Sequence, residues 1–472
     1  MNLVPPMADI EAETARATPK VKSAFGPSVV TALALGATLN PINSTMISTA
    51  LVPIAIFFGA SIAQASWLIA CLYLTSAIAQ PIMGRLADLF GPRRVYLISL
   101  LLVALAGMGG VMAPSLDFLL AVRVLLGIGT SGAYPSAMRI FRSEADKQGM
   151  PPPRMAMATL SLASFSTQAF GPALGGFITA RFGWHAIFTV NVPLALVAAL
   201  LALIWLPKDT PRAAGRGSLI TEIDMPGVVL FAVALLSLMI FLMDAKRSLC
   251  WILPVSALFW VFFWRHSARC RKPFIDVRML ADNLPLTISL LRVGLIALIP
   301  YCVVYGLAQW LESGAGYTPG MAGLMTLPLS IAAGICSVLG ARTKGVRVPF
   351  ILVAASGLIG SIGLMCLHSG TPVWLIATAA SCFGVTLGLS ANPTQTVIFL
   401  QSPKAEMGVT AGLQRSFSYF GAIAAANLLA VIYGAHATDR SFHTLALVMA
   451  MASACLLLFI LLDRTLPRGQ IG

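Results

Sequence analysis

The side chains of this chain most able to do chemistry are a few charged residues set among long apolar runs. One dense polar segment, Gly84-Arg-Leu-Ala-Asp88-Leu-Phe-Gly91-Pro-Arg93-Arg94, lies between two such runs. Asp88 can accept hydrogen bonds from a neighbouring helix N-terminus, and the two glycines suit tight backbone geometry. The paired arginines predict that this side is cytoplasmic. The segment therefore predicts a short loop that holds two helix ends in register.

A second charged residue lies inside an apolar run, in the segment Arg123-Val-Leu-Leu126-Gly127-Ile-Gly129. An arginine within a membrane span is expensive and usually faces a cavity or a partner. Arg123 is therefore a candidate functional residue. The alternative is an anchor that reaches the outer interface, because it lies only about two turns from the start of its run.

A third segment, Gln168-Ala-Phe-Gly171-Pro172-Ala-Leu-Gly175-Gly176, combines a proline with three glycines. Proline removes a backbone donor and kinks a helix, and glycines let a neighbouring helix approach closely. The segment predicts a kinked, tightly packed helix.

The elements that must position these residues are membrane helices. Of 472 residues, 58% are hydrophobic and 10% are charged, whereas soluble domains contain about 25% charged residues. Fourteen runs have the length of a spanning helix, namely 27–51, 64–83, 95–113, 117–138, 155–180, 185–206, 225–243, 249–265, 285–311, 319–340, 348–368, 371–391, 408–433 and 442–462. The stretches 139–154, 208–224 and 265–278 between them are interpreted as cytoplasmic loops.

The net charge of +14 does not indicate a nucleic-acid partner. With the amino terminus inside, most Lys and Arg residues fall in cytoplasmic loops, which is the positive-inside pattern. Residues 1–25 lack the pattern of a cleaved signal. The eight cysteines contain no C-x-x-C pair, so neither a metal site nor a disulfide framework is expected.

These segments carry a family resemblance. The Gly84–Arg94 loop resembles the G-x-L-a-D-x-x-G-r-[RK] loop of the major facilitator superfamily, and Gly171–Gly176 resembles the antiporter motif of its drug-exporting branches. Phe182-Gly-Trp-His-Ala-Ile-Phe-Thr-Val-Asn191-Val-Pro193 is similar to a segment of the fourteen-span drug:proton antiporter family. In the first of these loops, Asp88 is expected to bond to a second-half helix end and to pair with Arg139 or Arg142.

The resemblance implies an all-α polytopic membrane protein with the major facilitator fold, two six-helix halves plus a two-helix insert. The expected divisions are a cytoplasmic tail at 1–25, the first half at 26–207, the linker and insert at 208–283, the second half at 284–463 and a tail at 464–472. Gly340-Ala-Arg-Thr-Lys-Gly-Val-Arg347 is interpreted, on a weak signal, as a degraded copy of the Gly84–Arg94 loop. Parallel halves of this kind form a substrate site near the midplane.

The chain departs from the family where proton coupling is expected. Asn43 occupies the place of the family's first-span acid, and all seventeen acids fall in loops, tails or span ends. Glu312, at a span end, is the candidate coupling acid; the alternative is a solvated helix-end carboxylate. Arg292 and Arg415 favour anionic cargo if they face a cavity, and otherwise they anchor headgroups. The substrate-cavity candidates are Asn40, Asn43, Gln168, Tyr301, Tyr305, Gln309, Asn392, Gln395 and Tyr419.

The sequence thus predicts a secondary transporter that exports small organic molecules, of the multidrug efflux type, by alternating access. The alternatives are an importer or exchanger of organic anions or metabolites and a non-transporting sensor on the same fold. No catalytic residue, cofactor or metal is expected. The expected partners are a small-molecule substrate and the bilayer, with protons left open and no nucleic acid. We expect a monomer in the inner (plasma) membrane with both termini cytoplasmic.

Overall fold

The computed structural model describes residues 26–60, 62–149, 151, 153–209, 223–243, 251–317, 319–343, 345–433, 437–463 and 465–466. These residues form α-helices joined by short connections, with no β-strand among them. Lipid offers no hydrogen-bond partners to the backbone. A helix pairs its own N–H and C=O groups, which explains why apolar runs of this length are helical. The helices are α1 Pro27–Met46, α2 Leu51–Phe58, α3 Ile62–Phe90, α4 Pro92–Val111, α5 Leu116–Ser131, α6 Ala133–Gln148, α7 Arg154–Phe182, α8 Ala186–Thr189, α9 Asn191–Trp205, α10 Met225–Met243, α11 Ile252–Arg269, α12 Val277–Asp282, α13 Leu284–Ser313, α14 Pro319–Ala341, α15 Arg347–Met365, α16 Val373–Gln401, α17 Met407–Tyr433 and α18 Asp439–Leu462.

Helices occupy all fourteen apolar ranges that the sequence indicated. Within the described parts of the chain, ten helical segments are long and apolar enough to cross a membrane. The described residues are therefore all-helical, as predicted, and include the long apolar helices typical of a membrane protein. The count of fourteen crossings and the division into two halves remain predictions. The tails at 1–25 and 467–472 and the turn at 244–250 lie outside the described residues.

One predicted loop is largely helical. The stretch 139–154 is interpreted from the sequence as a loop, but α6 continues to Gln148 and ends at Gly149, whose φ of 61° is left-handed. Hydropathy marks only the apolar part of a helix, whereas polar residues extend it by local pairing. Lys147 lies 2.7 Å from Glu144, three residues earlier, and stabilises this extension.

A matching pair of arginines supports the weak internal repeat. Arg93, at the start of α4, donates to the carbonyl of Leu203 near the end of α9 at 2.7 Å. Arg347, at the start of α15, donates to the carbonyl of Leu461 near the end of α18 at 2.9 Å. Each contact satisfies a carbonyl in the last turn of a helix, which has no partner within the helix. The corresponding loops of the two predicted halves therefore use an arginine in the same way.

The insert helices are joined at one end by Asp224. This buried residue has a φ of 57°, and its carboxylate accepts hydrogen bonds from the backbone of Gly227 at 3.2 Å and Phe274 at 2.9 Å. Nε2 of His266 lies 2.7 Å from the same carboxylate. Cys270 completes a group of three side chains within 4.8 Å of one another. Because backbone donors already occupy the carboxylate, the group serves as a helix cap that ties α10 to α11.

Candidate functional site

The Asp88 carboxylate joins the two predicted halves at one end of the bundle. We call this end, which contains the Gly84–Arg94 loop and the Lys404–Glu406 turn, the basic end. The two Asp88 oxygens accept hydrogen bonds from the backbone N–H groups of Gly408 and Val409, each at 3.0 Å. Those groups belong to the first turn of α17, where unpaired donors attract an anion. The expected contact of Asp88 with a second-half helix end is present.

Arg139 completes this contact. Its Nε lies 3.2 Å from Oδ1 of Asp88, whose side chain is only 2% exposed. Arg139 also donates to the carbonyl of Lys404. Arg142, the other candidate partner, instead pairs with Asp146 at 3.1 Å and donates to the carbonyl of Phe399. The structure therefore selects Arg139 as the partner of Asp88.

Glycines allow the backbones to meet beside Asp88. A Cβ added at Gly84 would collide with the backbone of Gly408, and a Cβ at Gly408 would collide with the carbonyl of Gly84. Gly412, one turn further along α17, packs in the same way against Gln80. Gly91 has a φ of 100°, which disfavours other residues. This contact surface closes the basic end between α3 and α17.

A further arginine at the basic end was not singled out from the sequence. Arg154, in the first turn of α7, donates to the carbonyl of Thr343 after α14. Together with Arg139 and Arg142, it gives three arginines of the first predicted half that donate to carbonyls of the second. The signal available in the sequence was a basic residue directly before a predicted span, which is common and not specific.

Arg123 lies inside the protein rather than at its surface. It is fully buried, and it donates to the carbonyls of Leu68 at 2.9 Å and Asn43 at 3.0 Å. The alternative of an anchor at the interface does not fit this position. Gly127 and Gly129 let α5 pack closely against α3 and α4, since a Cβ at Gly127 would lie 2.8 Å from Thr75 and one at Gly129 would lie 2.9 Å from Val103.

The Gly171–Gly176 segment packs against the end of α1. A Cβ at Gly171 would collide with the hydroxyl of Thr45, and one at Gly175 would lie 2.6 Å from the carbonyl oxygen of Met46. A Cβ at Gly176 would meet only the methyl of Thr49, at 3.9 Å. The side chain of Pro172 lies outside what the structure describes. Two of the three glycines are therefore required by the close approach of α7 and α1.

A cavity of about 110 Å³ lies between helices of both predicted halves. The predicted residues Tyr301 and Gln395 line it, and so does Arg415. The Gln395 amide donates to the hydroxyl of Ser161 at 3.0 Å, across the two halves. The full lining is Ser161, Ser164, Phe165, Val293, Ile296, Ala297, Tyr301, Leu387, Ser390, Ala391, Thr394, Gln395, Gln414, Arg415 and Ser418.

A polar network near the cavity contains further predicted residues. The Tyr419 hydroxyl donates to the Asn40 side chain at 2.8 Å and accepts from Gln80 at 3.1 Å. Tyr419 also contacts Tyr73, with ring centroids 5.8 Å apart. These bonds cross between the predicted halves.

Tyr301 links the remaining predicted residues to the cavity. The ring of Tyr305 lies 5.7 Å from that of Tyr301, and the side chain of Gln168 interacts with the Tyr301 hydroxyl. Gln168 belongs to α7 and Tyr301 to α13. This interaction therefore also joins the first predicted half to the second.

Other predicted cavity residues face elsewhere in this conformation. Asn392 is buried and donates to the carbonyl of Ser337 at 2.7 Å, so it joins α16 to α14. Asn43 is paired with Asn191 within the first half, and Gln309 is exposed. Glu312 belongs to α13, but its side chain lies outside the described residues. A polar residue in an apolar helix marks an interhelical contact as often as a cavity, which explains these placements.

Arg292 faces neither a cavity nor a headgroup. It forms an ion pair with Asp463, both side chains being at most 2% exposed, and its guanidinium lies over the rings of Phe350 at 5.1 Å and Phe459 at 5.7 Å. Asp463 also accepts from Thr465 at 2.8 Å. The pair therefore ties α13 to the end of α18.

A bundle of apolar helices with a cavity between two groups of helices, closed at one end, is the arrangement expected of a membrane transporter. The chain belongs to the Major Facilitator Superfamily, whose family model matches residues 33–426. Members of this family are transporters and not enzymes. The family predicted from the sequence motifs is therefore confirmed.

Individual relatives agree with this assignment. An uncharacterized MFS-type transporter of Bacillus subtilis, YwoD, is 32% identical over 91% of this chain and 95% of its own length. The multidrug resistance protein Stp of Mycobacterium tuberculosis is 26% identical over 93% of this chain and 82% of its own length. The solved structure of the proton:xylose symporter XylE shares the fold, with a TM-score of 0.64 at 15% identity over 94% of this chain and 97% of that one.

Proposed function

We propose that this protein exports small organic molecules across the inner (plasma) membrane by alternating access, with the basic end and both termini in the cytoplasm. One observation carries the proposal: a cavity lined by both predicted halves lies next to an end that Asp88 holds closed through α17. Opening that end requires the Asp88 contacts to break, and closing it restores them. The similarity to the multidrug resistance protein Stp supports the outward direction.

The energy source stays open between two alternatives. Among the described residues that line the cavity there is no Asp or Glu, so no coupling acid is available there. Either Glu312 binds the coupling proton, or transport follows the substrate gradient or the membrane potential. Protons are therefore a proposed partner only in the first case.

The proposal is tested by accumulation of fluorescent dyes and labelled metabolites in cells with and without the protein. Export predicts lower accumulation in expressing cells, and Gly175→Leu at equal expression is the inactive control. A second measurement after collapse of the proton gradient separates the two energy sources. Higher accumulation in expressing cells would indicate import, and equal accumulation of every compound would favour a non-transporting sensor.

A further inference from the structure

Arg415 is the cationic side chain of the cavity. Its guanidinium carbon lies 3.9 Å from the centroid of the Tyr134 ring, and the residue is partly exposed to the cavity. Tyr134 in turn donates from its hydroxyl to the Gln414 side chain at 3.2 Å. The aromatic ring therefore holds the guanidinium in place at the wall of the cavity.

Arg415 differs from the other arginines inside the bundle. Arg123 bonds to two backbone carbonyls, and Arg292 is paired with Asp463. In the described part of the chain, no carboxylate lies within ion-pairing distance of Arg415. A cation inside a membrane helix bundle without a counter-charge is costly. The position of Arg415 beside a cavity is explained if the counter-charge arrives with the cargo.

We propose that the cargo of this cavity is a small organic anion whose carboxylate, sulfonate or phosphate group pairs with Arg415. Guanidinium binds such groups through two parallel hydrogen bonds, which gives both affinity and orientation. The inference rests on the proposed function and names its substrate class. A lipophilic cation is disfavoured at the same place because it would meet a like charge.

The rest of the lining suits the apolar part of such an anion. Phe165 and Tyr301 offer ring faces, while Gln395 and Gln414 are fixed by their bonds to Ser161 and Tyr134. An apolar pocket with a few placed polar groups is typical of sites for organic ligands. The cavity of about 110 Å³ is close in size to an engineered cavity of about 150 Å³ that holds benzene. A single aromatic ring is therefore close to the upper size limit of the cavity in this conformation.

The test uses two permanently charged single-ring probes, benzenesulfonate and benzyltrimethylammonium. Their binding to the purified full-length protein is measured by equilibrium dialysis with radiolabelled probe. We expect the wild-type protein to bind the sulfonate at least tenfold more tightly than the ammonium. Arg415→Gln is expected to weaken sulfonate binding about tenfold or more, and Arg415→Lys to weaken it less. The matched control Arg440→Gln, at an exposed arginine outside the cavity, is expected to leave binding unchanged.

Three results would overturn the inference: no binding of the sulfonate, equal or tighter binding of the ammonium, or undiminished sulfonate binding in Arg415→Gln. If Arg415→Gln does not fold, the relative affinity of the wild-type protein for the two probes still tests the inference. Flux of both probes in proteoliposomes separates this inference from the proposed function. Arg415-dependent binding without flux would reject transport alone, whereas flux of both probes regardless of charge would reject the anion assignment alone.

Discussion

The side-chain amides of Asn43 and Asn191 exchange hydrogen bonds inside the first predicted half. The amide of Asn43 donates to Asn191 at 2.5 Å, and that of Asn191 donates back at 3.0 Å. Both residues are buried, and Arg123 donates to the backbone carbonyl of Asn43. A neutral pair therefore occupies the position where the family resemblance places an acid, and this pair joins α1 to α9.

The first prediction concerns Asn43→Asp. We expect this substitution to introduce a new pH dependence of transport between about pH 5 and 8, because burial disfavours the charged form of a carboxylate. Transport is expected to change as the pH rises and the introduced carboxylate loses its proton. The measurement is the initial rate in proteoliposomes from about pH 5 to 9, with Gln148→Glu, at an exposed position on α6, as the control.

The companion variant Glu312→Gln is expected to have little effect if transport follows the substrate gradient or the potential. If Glu312 carries the coupling proton, the same variant should abolish uphill transport yet spare exchange. The coupling site would lie elsewhere if proton-driven transport survives Glu312→Gln and Asn43→Asp introduces no new pH dependence.

The second prediction concerns Asp88→Asn. The amide cannot accept hydrogen bonds from Gly408 and Val409 with both of its terminal atoms, and its pairing with Arg139 is lost. Hydrogen bonds to charged groups contribute about 1.5–3 kcal/mol, so transport is expected to fall about tenfold while membrane insertion stays normal. Asp146→Asn is the control, because its pairs are more exposed and contribute about 0–1 kcal/mol. Equal transport by both fully expressed variants would exclude a gating role for Asp88.

The third prediction compares neighbouring glycines in α7. Gly175→Ala is expected to lower transport because its Cβ would lie 2.6 Å from the Met46 carbonyl, whereas Gly176→Ala should be tolerated because its nearest contact is 3.9 Å. Overpacking of this kind costs about 1–3 kcal/mol, and Gly175→Leu should be more severe. Thermal unfolding in detergent and transport rates check both variants. A larger loss from Gly176→Ala than from Gly175→Ala would contradict the packing described here.

The fourth prediction concerns topology. Fourteen crossings place tags at residues 1 and 472 in the cytoplasm and a tag within residues 244–249 outside. Accessibility to an impermeant reagent in intact and permeabilised cells measures this. A cytoplasmic tag at 244–249 would mean that the insert is not two full spans.

Much of the fold follows from hydropathy, because lipid requires apolar runs and leaves helices as the available structure. The end of α6 did not follow, because polar residues of 139–148 extend the helix beyond the apolar run. The Asp88 contact was predictable from the loop pattern, because a carboxylate near helix ends can accept hydrogen bonds from free backbone N–H groups. The pairing of Asp88 with Arg139 rather than Arg142 was not predictable, because it depends on the direction of each arginine side chain on α6.

The candidate site was less accessible to sequence reasoning. Tyr301 and Gln395 line the cavity while Asn392, three residues from Gln395, faces α14. Such helices carry apolar residues on the face toward lipid and on the face toward protein. The sequence therefore does not distinguish the two faces. The pairing of Arg292 with Asp463 joins residues 171 positions apart, and only the packing of α13 against the end of α18 brings them together.

The central claim, that the Asp88 contact holds the basic end closed between the two halves, is tested most directly by a distance measurement across that end. Spin labels are attached at Gln148→Cys and Ala405→Cys, both at exposed positions, in a transport-competent protein without native cysteines. Pulsed electron–electron double resonance measures the distance between the two labels. It is expected to show a mainly short distance with Asp88 present and a larger population at longer distance in Asp88→Asn. Identical distance distributions in the two proteins, both folded, would contradict the claim.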